Sequence, residues 1–211
     1  MAGKIAIDLF LTLDGVGQAP GAPDEDTDGG FRFGGWQAPV SDEIVGNAVG
    51  ERLADIDALL LGRKTYDIFA AYWPHHTDGP EGAIGTLFNR IPKYVASRTS
   101  LTLDWEGTTQ LGPDLVAEVR ALRERHRNVH VIGSLDLVQT LLADELYDEL
   151  ALWVYPVVLG QGKKVFPDGA VPANLSLLAP PLTSGTGAVL LRYAPAGAPT
   201  TGDMTSGDRG T

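Results

Sequence analysis

Three short apolar runs, each closing on a small residue and each leading into helical spacing, restrict the folds open to this chain. They are Asp57-Ala58-Leu59-Leu60-Leu61-Gly62, Lys93-Tyr94-Val95-Ala96-Ser97 and Val129-His130-Val131-Ile132-Gly133. The first is a continuous apolar run of a length that suits a central strand covered on both faces, as in a parallel sheet flanked by helices, and the other two also read as strands. A helix over Thr65 to Ala71 is expected after the first run. Pro113 and Asp114 open another with Leu115, Val119 and Leu122 inward, and Ser134 can cap a third carrying Leu137, Val138, Leu141 and Leu142.

Lys4 to Leu13 reads as a first, largely buried strand. Ser41 with Asp42-Glu43-Ile44 resembles a helix start followed by Val45, Val49 and Leu53, and Ile84, Leu87, Phe88 and Ile91 suit a further helix. Glu149 to Leu159 and Ala188 to Ala194 are strand-like without a comparable helix between them, which implies antiparallel additions. The expected fold class is a single α/β domain over residues 1–194, with a central, mostly parallel mixed sheet, flanking helices and antiparallel C-terminal strands. Residues 195–211, rich in Gly, Pro, Thr and Asp, read as a disordered tail. The stretch from Gly17 to Gly35 is too long for a tight turn and reads as a functional or mobile loop over a site.

Composition narrows the function classes. The chain has no cysteine, which excludes disulfides, thiolate metal sites and cysteine nucleophiles. Asp8 interrupts the first apolar run and no later one reaches about 18 residues, so no membrane span or export signal is expected and cytoplasm is the default location. A net charge of −11 without a basic stripe argues against a nucleic-acid partner. Trp73-Pro74-His75-His76 invites a metal reading, but adjacent histidines on a turn lack further ligands, and no metal is expected.

The chemistry is concentrated at three strand-to-helix junctions: Gly62-Arg63-Lys64-Thr65, Ser97-Arg98-Thr99 and Gly133-Ser134-Leu135. In an open α/β sheet, ligands sit beyond the carboxyl ends of strands, where helix N-termini offer N–H groups to anions. Glycine lets backbone approach a phosphate, hydroxyls donate hydrogen bonds, and guanidinium groups grip phosphate through paired bonds. Singly, each junction is an ordinary turn; together they can build one anion-binding site.

The ordered set of motifs resembles the dihydrofolate-reductase-like superfamily, and more closely its branch related to the reductase domain of bacterial riboflavin biosynthesis. The motifs are Thr12-Leu13-Asp14-Gly15-Val16, Leu59 to Phe69 (LLLGRKTYDIF), Lys93 to Thr99 (KYVASRT), Val131-Ile132-Gly133-Ser134, and Pro156 to Pro167 (PVVLGQGKKVFP). The resemblance implies NADPH lying extended across the strand ends. Arg63 and Thr65, beside Gly62, would meet the adenosine-side phosphates, Ser97 and Arg98 the 2′-phosphate, and Gly133, Ser134 and Leu135 the pyrophosphate. Thr12, Val16 and Gly17 would form the nicotinamide side. It also implies a homodimer.

The substrate end departs further from relatives. The family's phosphate turn usually has two adjacent glycines, where this chain has Gly133-Ser134. Folate reductases carry an acid on the first helix shortly after a Trp; the nearest counterparts are Trp36 and Asp42, with altered spacing, and Trp153-Val154-Tyr155 lacks their strand threonine. Asp42 is the candidate for proton supply, although the helix dipole alone favours an acid there. Phe33 and Trp36, with Phe31, are aromatic candidates to stack on a planar substrate, or to pin the loop to the core. The expected activity is hydride transfer to a small pyrimidine-, pterin- or imine-like heterocycle. A specialised reductase of another C=N or C=C bond, and a non-catalytic nucleotide-binding protein, remain as alternatives.

Overall fold

The structure, a computed structural model, describes residues 2–203. Nine strands form one sheet: β1 (Lys4–Thr12), β2 (Ala58–Gly62), β3 (Lys93–Ala96), β4 (Thr108–Gln110), β5 (Asn128–Ile132), β6 (Glu149–Tyr155), β7 (Leu175–Leu177), β8 (Leu182–Thr183) and β9 (Val189–Pro195). Five α-helices flank it: α1 (Glu43–Leu53), α2 (Arg63–Tyr72), α3 (Gly82–Arg90), α4 (Leu115–Arg125) and α5 (Leu135–Ala143). The spatial order is β4-β3-β2-β5-β1-β6-β9-β7, with β8 also on β9. All pairings from β4 to β6 are parallel, and those made by β9 are antiparallel. The α/β class, the mostly parallel sheet and the antiparallel C-terminal strands are therefore as the sequence implies.

Strand alternation assigns the two faces. Ile5, Ile7, Leu9 and Leu11 of β1 share a core with Ala58 and Leu60 of β2 and with Val119, Leu122, Leu137, Val138 and Leu141 from α4 and α5. Leu59 and Leu61 point the other way and pack with Leu53, Tyr66 and Phe88, one from each of α1, α2 and α3. Both faces of the central strands are covered, which is why they read as continuous apolar runs.

Local differences have local causes. The cap of α1 is Asp42, not Ser41: its carboxylate accepts from the Val45 amide, which the single oxygen of Ser41 one residue earlier does not reach. Short β4 lies between β3 and α4, where no apolar run announces an edge strand of mixed exposure. Likewise β7 and β8 are short and mostly exposed. Strand β9 runs through Pro195, and Asn174 holds Ala196 and Gly197 by backbone hydrogen bonds; of the tail expected over 195–211, residues 204–211 lie outside the described ones.

The Gly17–Gly35 loop is tied down by polar contacts. Gln18 donates to the carbonyls of Asp26 and Asp28 and accepts from the Lys163 amide, while Lys163 Nζ reaches Asp26 at 2.7 Å and Asp28 at 2.8 Å. Lys64 joins the same two carboxylates from the first turn of α2. The loop's apolar anchor is equally close: a Cβ on Gly162, whose φ is +120°, would stand 2.6 Å from Val16 and 2.9 Å from Phe31.

Charges are buried on the α1 face of the sheet. Arg52 of α1 binds Asp8 through Nε at 2.6 Å and Glu149 through Nη1 at 2.6 Å, and Arg192 adds two bonds to Glu149. His130 Nδ1 lies 2.7 Å from Asp8 Oδ2. Burial pushes the Asp8 carboxyl up, but His130 and Arg52 outweigh it and hold it below the usual range. For Glu149 the same contest, won by Arg192 and Arg52, leaves the carboxyl at about 2.

Two stability predictions follow from these contacts. Gly162→Ala forces a side chain into a left-handed, filled position and is expected to cost about 2–3 kcal/mol, read as a lower urea midpoint. Because the Glu149 pKa falls on folding from 4.5 to about 2, its contribution is complete above pH 4.5 and lost as pH drops towards 2. That loss is of order 2–3 kcal/mol. Glu149→Gln should destabilise the protein at neutral pH and flatten this acid limb in pH-dependent denaturation.

Candidate active site

The carboxyl ends of β1, β2, β3 and β5 open into one cleft of about 1640 Å³, roofed by α1 and walled on one side by the Gly17–Gly35 loop. A single drug-sized ligand occupies about 300–1,000 Å³, so the cleft has room for two ligands side by side.

At one end the expected junctions meet. The Ser134 hydroxyl accepts from the Gly62 amide at 2.9 Å, and the Ser134 amide donates to the Thr65 hydroxyl at 3.0 Å, which locks the β2–α2 and β5–α5 turns together. Gly133 (φ +60°) and Ser134 (φ +54°) are both left-handed, a conformation natural for glycine and strained for serine. It turns the chain sharply into α5, whose first amides, beginning at Leu135, have no partner within the helix. Ser134 therefore begins α5, but its hydroxyl serves a neighbouring strand rather than its own helix. Arg63 is exposed and within 3.6 Å of Asp67. Ser97 turns its hydroxyl into a local bond with the Thr99 backbone, and the exposed Arg98 on the cleft wall forms no ion pair among the described residues.

Other residues expected at the site lie elsewhere. Thr12 and Val16 are buried behind the wall: the Thr12 hydroxyl donates to Asp14 at 2.6 Å and accepts from Val16, and Asp14 in turn receives the Leu159 and Gly160 amides. This cluster is a turn anchor. Gly17 alone of that trio lines the cleft, where a Cβ would crowd Leu11 at 3.0 Å. Trp36 is buried, donating to the Gln18 carbonyl and meeting the edge of Tyr155, while Phe33 packs against Phe31; neither lines the cleft. Their expected stacking on substrate does not fit this arrangement: Trp36 pins the loop to the core, and Phe33 is exposed with its contacts inside the loop.

Asp42 does line the cleft, yet its carboxylate is engaged by the Val45 and Thr186 amides. The Val45 bond foremost holds it below the usual carboxyl range. A group so held is a poor proton donor at neutral pH, so the expected proton-supplying role does not fit; its carboxylate caps α1.

The substrate-sized end of the cleft is built by residues that sequence reasoning passed over. Phe10 of β1 and Trp153 of β6 stack at 6.1 Å with planes 14° apart, and Val45 and Val49 of α1 face the same space. Asp8 and Arg52 complete it, and Arg52 Nη2 is buried without a hydrogen-bond partner. A signal existed: Asp8 is an acid within an otherwise apolar strand, and Arg52 sits beside Leu53 on the inward side of α1. His75 and His76 do not line the cleft, and His76 stacks on Tyr72. Among the described residues no His, Asp and Glu cluster could hold a metal, and no helix is long and apolar enough to cross a membrane.

Comparison with known proteins agrees with this architecture. The family profile described as the RibD C-terminal domain matches residues 3–184. An uncharacterized protein of Bacillus subtilis (strain 168), YyaP, is 29% identical over 181 residues, covering 83% of this chain and 86% of that protein. A putative riboflavin biosynthesis protein from Shewanella sp. PV-4 superposes with a TM-score of 0.69 at 20% identity, covering 93% of this chain and 99% of the other. A Thermotoga maritima protein, named a diaminohydroxyphosphoribosylaminopyrimidine deaminase/5-amino-6-(5-phosphoribosylamino)uracil reductase, gives a TM-score of 0.59 at 17% identity, over 92% of this chain and 57% of its own. With a family match across most of its length and a fold shared with these structures, the chain belongs to the RibD C-terminal domain family of the dihydrofolate-reductase-like superfamily.

Proposed function

We propose that the protein is an NADPH-dependent oxidoreductase that reduces a small planar heterocycle. The observation that carries this is Arg98, exposed and unpaired on the cleft wall beside the first turns of α2 and α5, at one end of a cavity large enough for two ligands. An unspent guanidinium next to helix N-termini is a binding site for phosphate. Family membership and the uracil reductase activity in the name of the Thermotoga maritima protein support the same reading.

Each residue then has a task. Arg98 and Ser97 take the 2′-phosphate, Arg63 and Thr65 the neighbouring phosphates, and the turn from Gly133 to Leu135 presents its amides to the pyrophosphate. Gly17 keeps the cleft open at the nicotinamide side, with Thr12 and Val16 holding it from behind. When bound, NADPH supplies the hydride. The protein orients the two ligands, and the Gly17–Gly35 loop limits water access. The reading carries with it a cytoplasmic location and a two-fold homodimer, the latter open to sedimentation.

Titration with NADPH and NADH, followed by nicotinamide fluorescence, tests the proposal. NADPH should bind preferentially, and Arg98→Ala should weaken NADPH about tenfold or more, as loss of a charge-assisted bond implies, with little effect on NADH. Equal affinity for the two cofactors in both proteins contradicts the assignment.

A further inference from the structure

The cleft is electrically divided. The end at the β2, β3 and β5 junctions carries Arg98, which has no ion pair among the described residues, beside Arg63 paired with Asp67, Lys64 paired with Asp26 and Asp28, and Asp136. Lys163, also on the cleft wall, is held by Asp26 and Asp28 of the loop, and under α1 the charged wall residues are Asp8, Asp42 and Glu43 with Arg52 as the one cation among the described residues. That cation is already committed, to Asp8 through Nε and to Glu149 through Nη1, and has one unpartnered nitrogen, Nη2.

A phosphate ester at this end would bring roughly −1.5 to −2 charges and several acceptor oxygens. It would meet one half-occupied guanidinium and three carboxylates. The alternative anion site, the N-terminus of α1, is closed: Asp42 takes the Val45 amide, and Glu43 stands in the first turn. Against this, the partly exposed Phe10, backed by the buried Trp153, and Val49 offer an apolar floor for a flat ring. A lone N–H from Arg52 suits one neutral acceptor, such as a ring carbonyl, better than a multiply charged group.

Resting on the reductase reading above, we infer that the substrate is an unphosphorylated planar heterocycle, neutral or cationic, lying on Phe10 where Trp153 backs it. This separates it from the phosphoribosylated compound in the name of the Thermotoga maritima protein. In the reduction, the hydride from NADPH adds to the electron-poor carbon of a C=N bond and the π pair moves to nitrogen. A neutral imine then takes a proton from solvent, an iminium needs none, and NADP⁺ is the oxidised product.

The test uses the full chain saturated with NADPH, titrated calorimetrically with four probes. Three lack phosphate: diaminouracil, dihydropterin and a dihydroisoquinolinium cation. The fourth is 5-amino-6-(5-phosphoribosylamino)uracil. At least one unphosphorylated ring is expected to bind about tenfold more tightly than the phosphorylated compound, with an affinity that changes little between low and physiological salt. Glu43→Lys, at an exposed position, should strengthen the phosphorylated probe several-fold and leave the neutral rings unchanged. Equal or tighter binding of the phosphorylated compound to the unaltered protein overturns the inference, as does failure of all three unphosphorylated rings to bind. Failure of NADPH itself to bind, read in the preceding titration, removes the reductase reading and this inference with it.

Discussion

Arg52 is the hinge on which the architecture turns, because it is the charged contact that fixes α1 over β1 and β6. Its guanidinium bridges Asp8 and Glu149 on adjacent strands, each at 2.6 Å. Burying such charges costs several kcal/mol per ion unless each is matched, and here the matching spans four strands, from His130 on β5 to Arg192 on β9. The height of α1 above Phe10 and Trp153, and with it the width of the slot beneath, is set by the length of these bonds rather than by a large apolar interface. Only Val45 and Leu53 of α1 are fully buried.

This arrangement divides labour within the cleft. The end at the β2 and β5 junctions is made from backbone turns that hold one another through Ser134, Thr65 and Gly62, with the unpaired Arg98 at its surface. The slot under α1 is made from side chains on strands and one helix, and its one cation is already engaged by Asp8 and Glu149. One end has spare positive charge and little shape; the other has shape and little spare charge.

Much of the fold was legible because its central strands are buried on both faces, and such strands announce themselves as apolar runs. The edge strands β4, β7 and β8 were not, since their mixed exposure leaves no period to read. The strand-to-helix junctions were legible too, being contiguous in sequence: Gly62 to Thr65 and Gly133 to Leu135 each form one turn. The slot was illegible for the opposite reason. Asp8, Arg52, Glu149 and Trp153 come from three elements far apart in sequence, and no local spacing links them. Asp42 and Trp36 show why residue type alone does not decide: of the two readings each residue allowed, the structure has the helix cap and the loop anchor.

The left-handed serine at position 134 carries a consequence for how the protein moves. Glycine there would relieve backbone strain, but it would abolish the hydroxyl that receives the Gly62 amide. The chain has exchanged local ease for a stitch between β5 and β2, and the Thr65 hydroxyl closes the same seam from the other side. Neither turn can open without breaking the other's bonds, so the two helix starts form one cooperative unit. In hydrogen exchange their amides would share a single opening event, and a ligand gripping either turn would protect both.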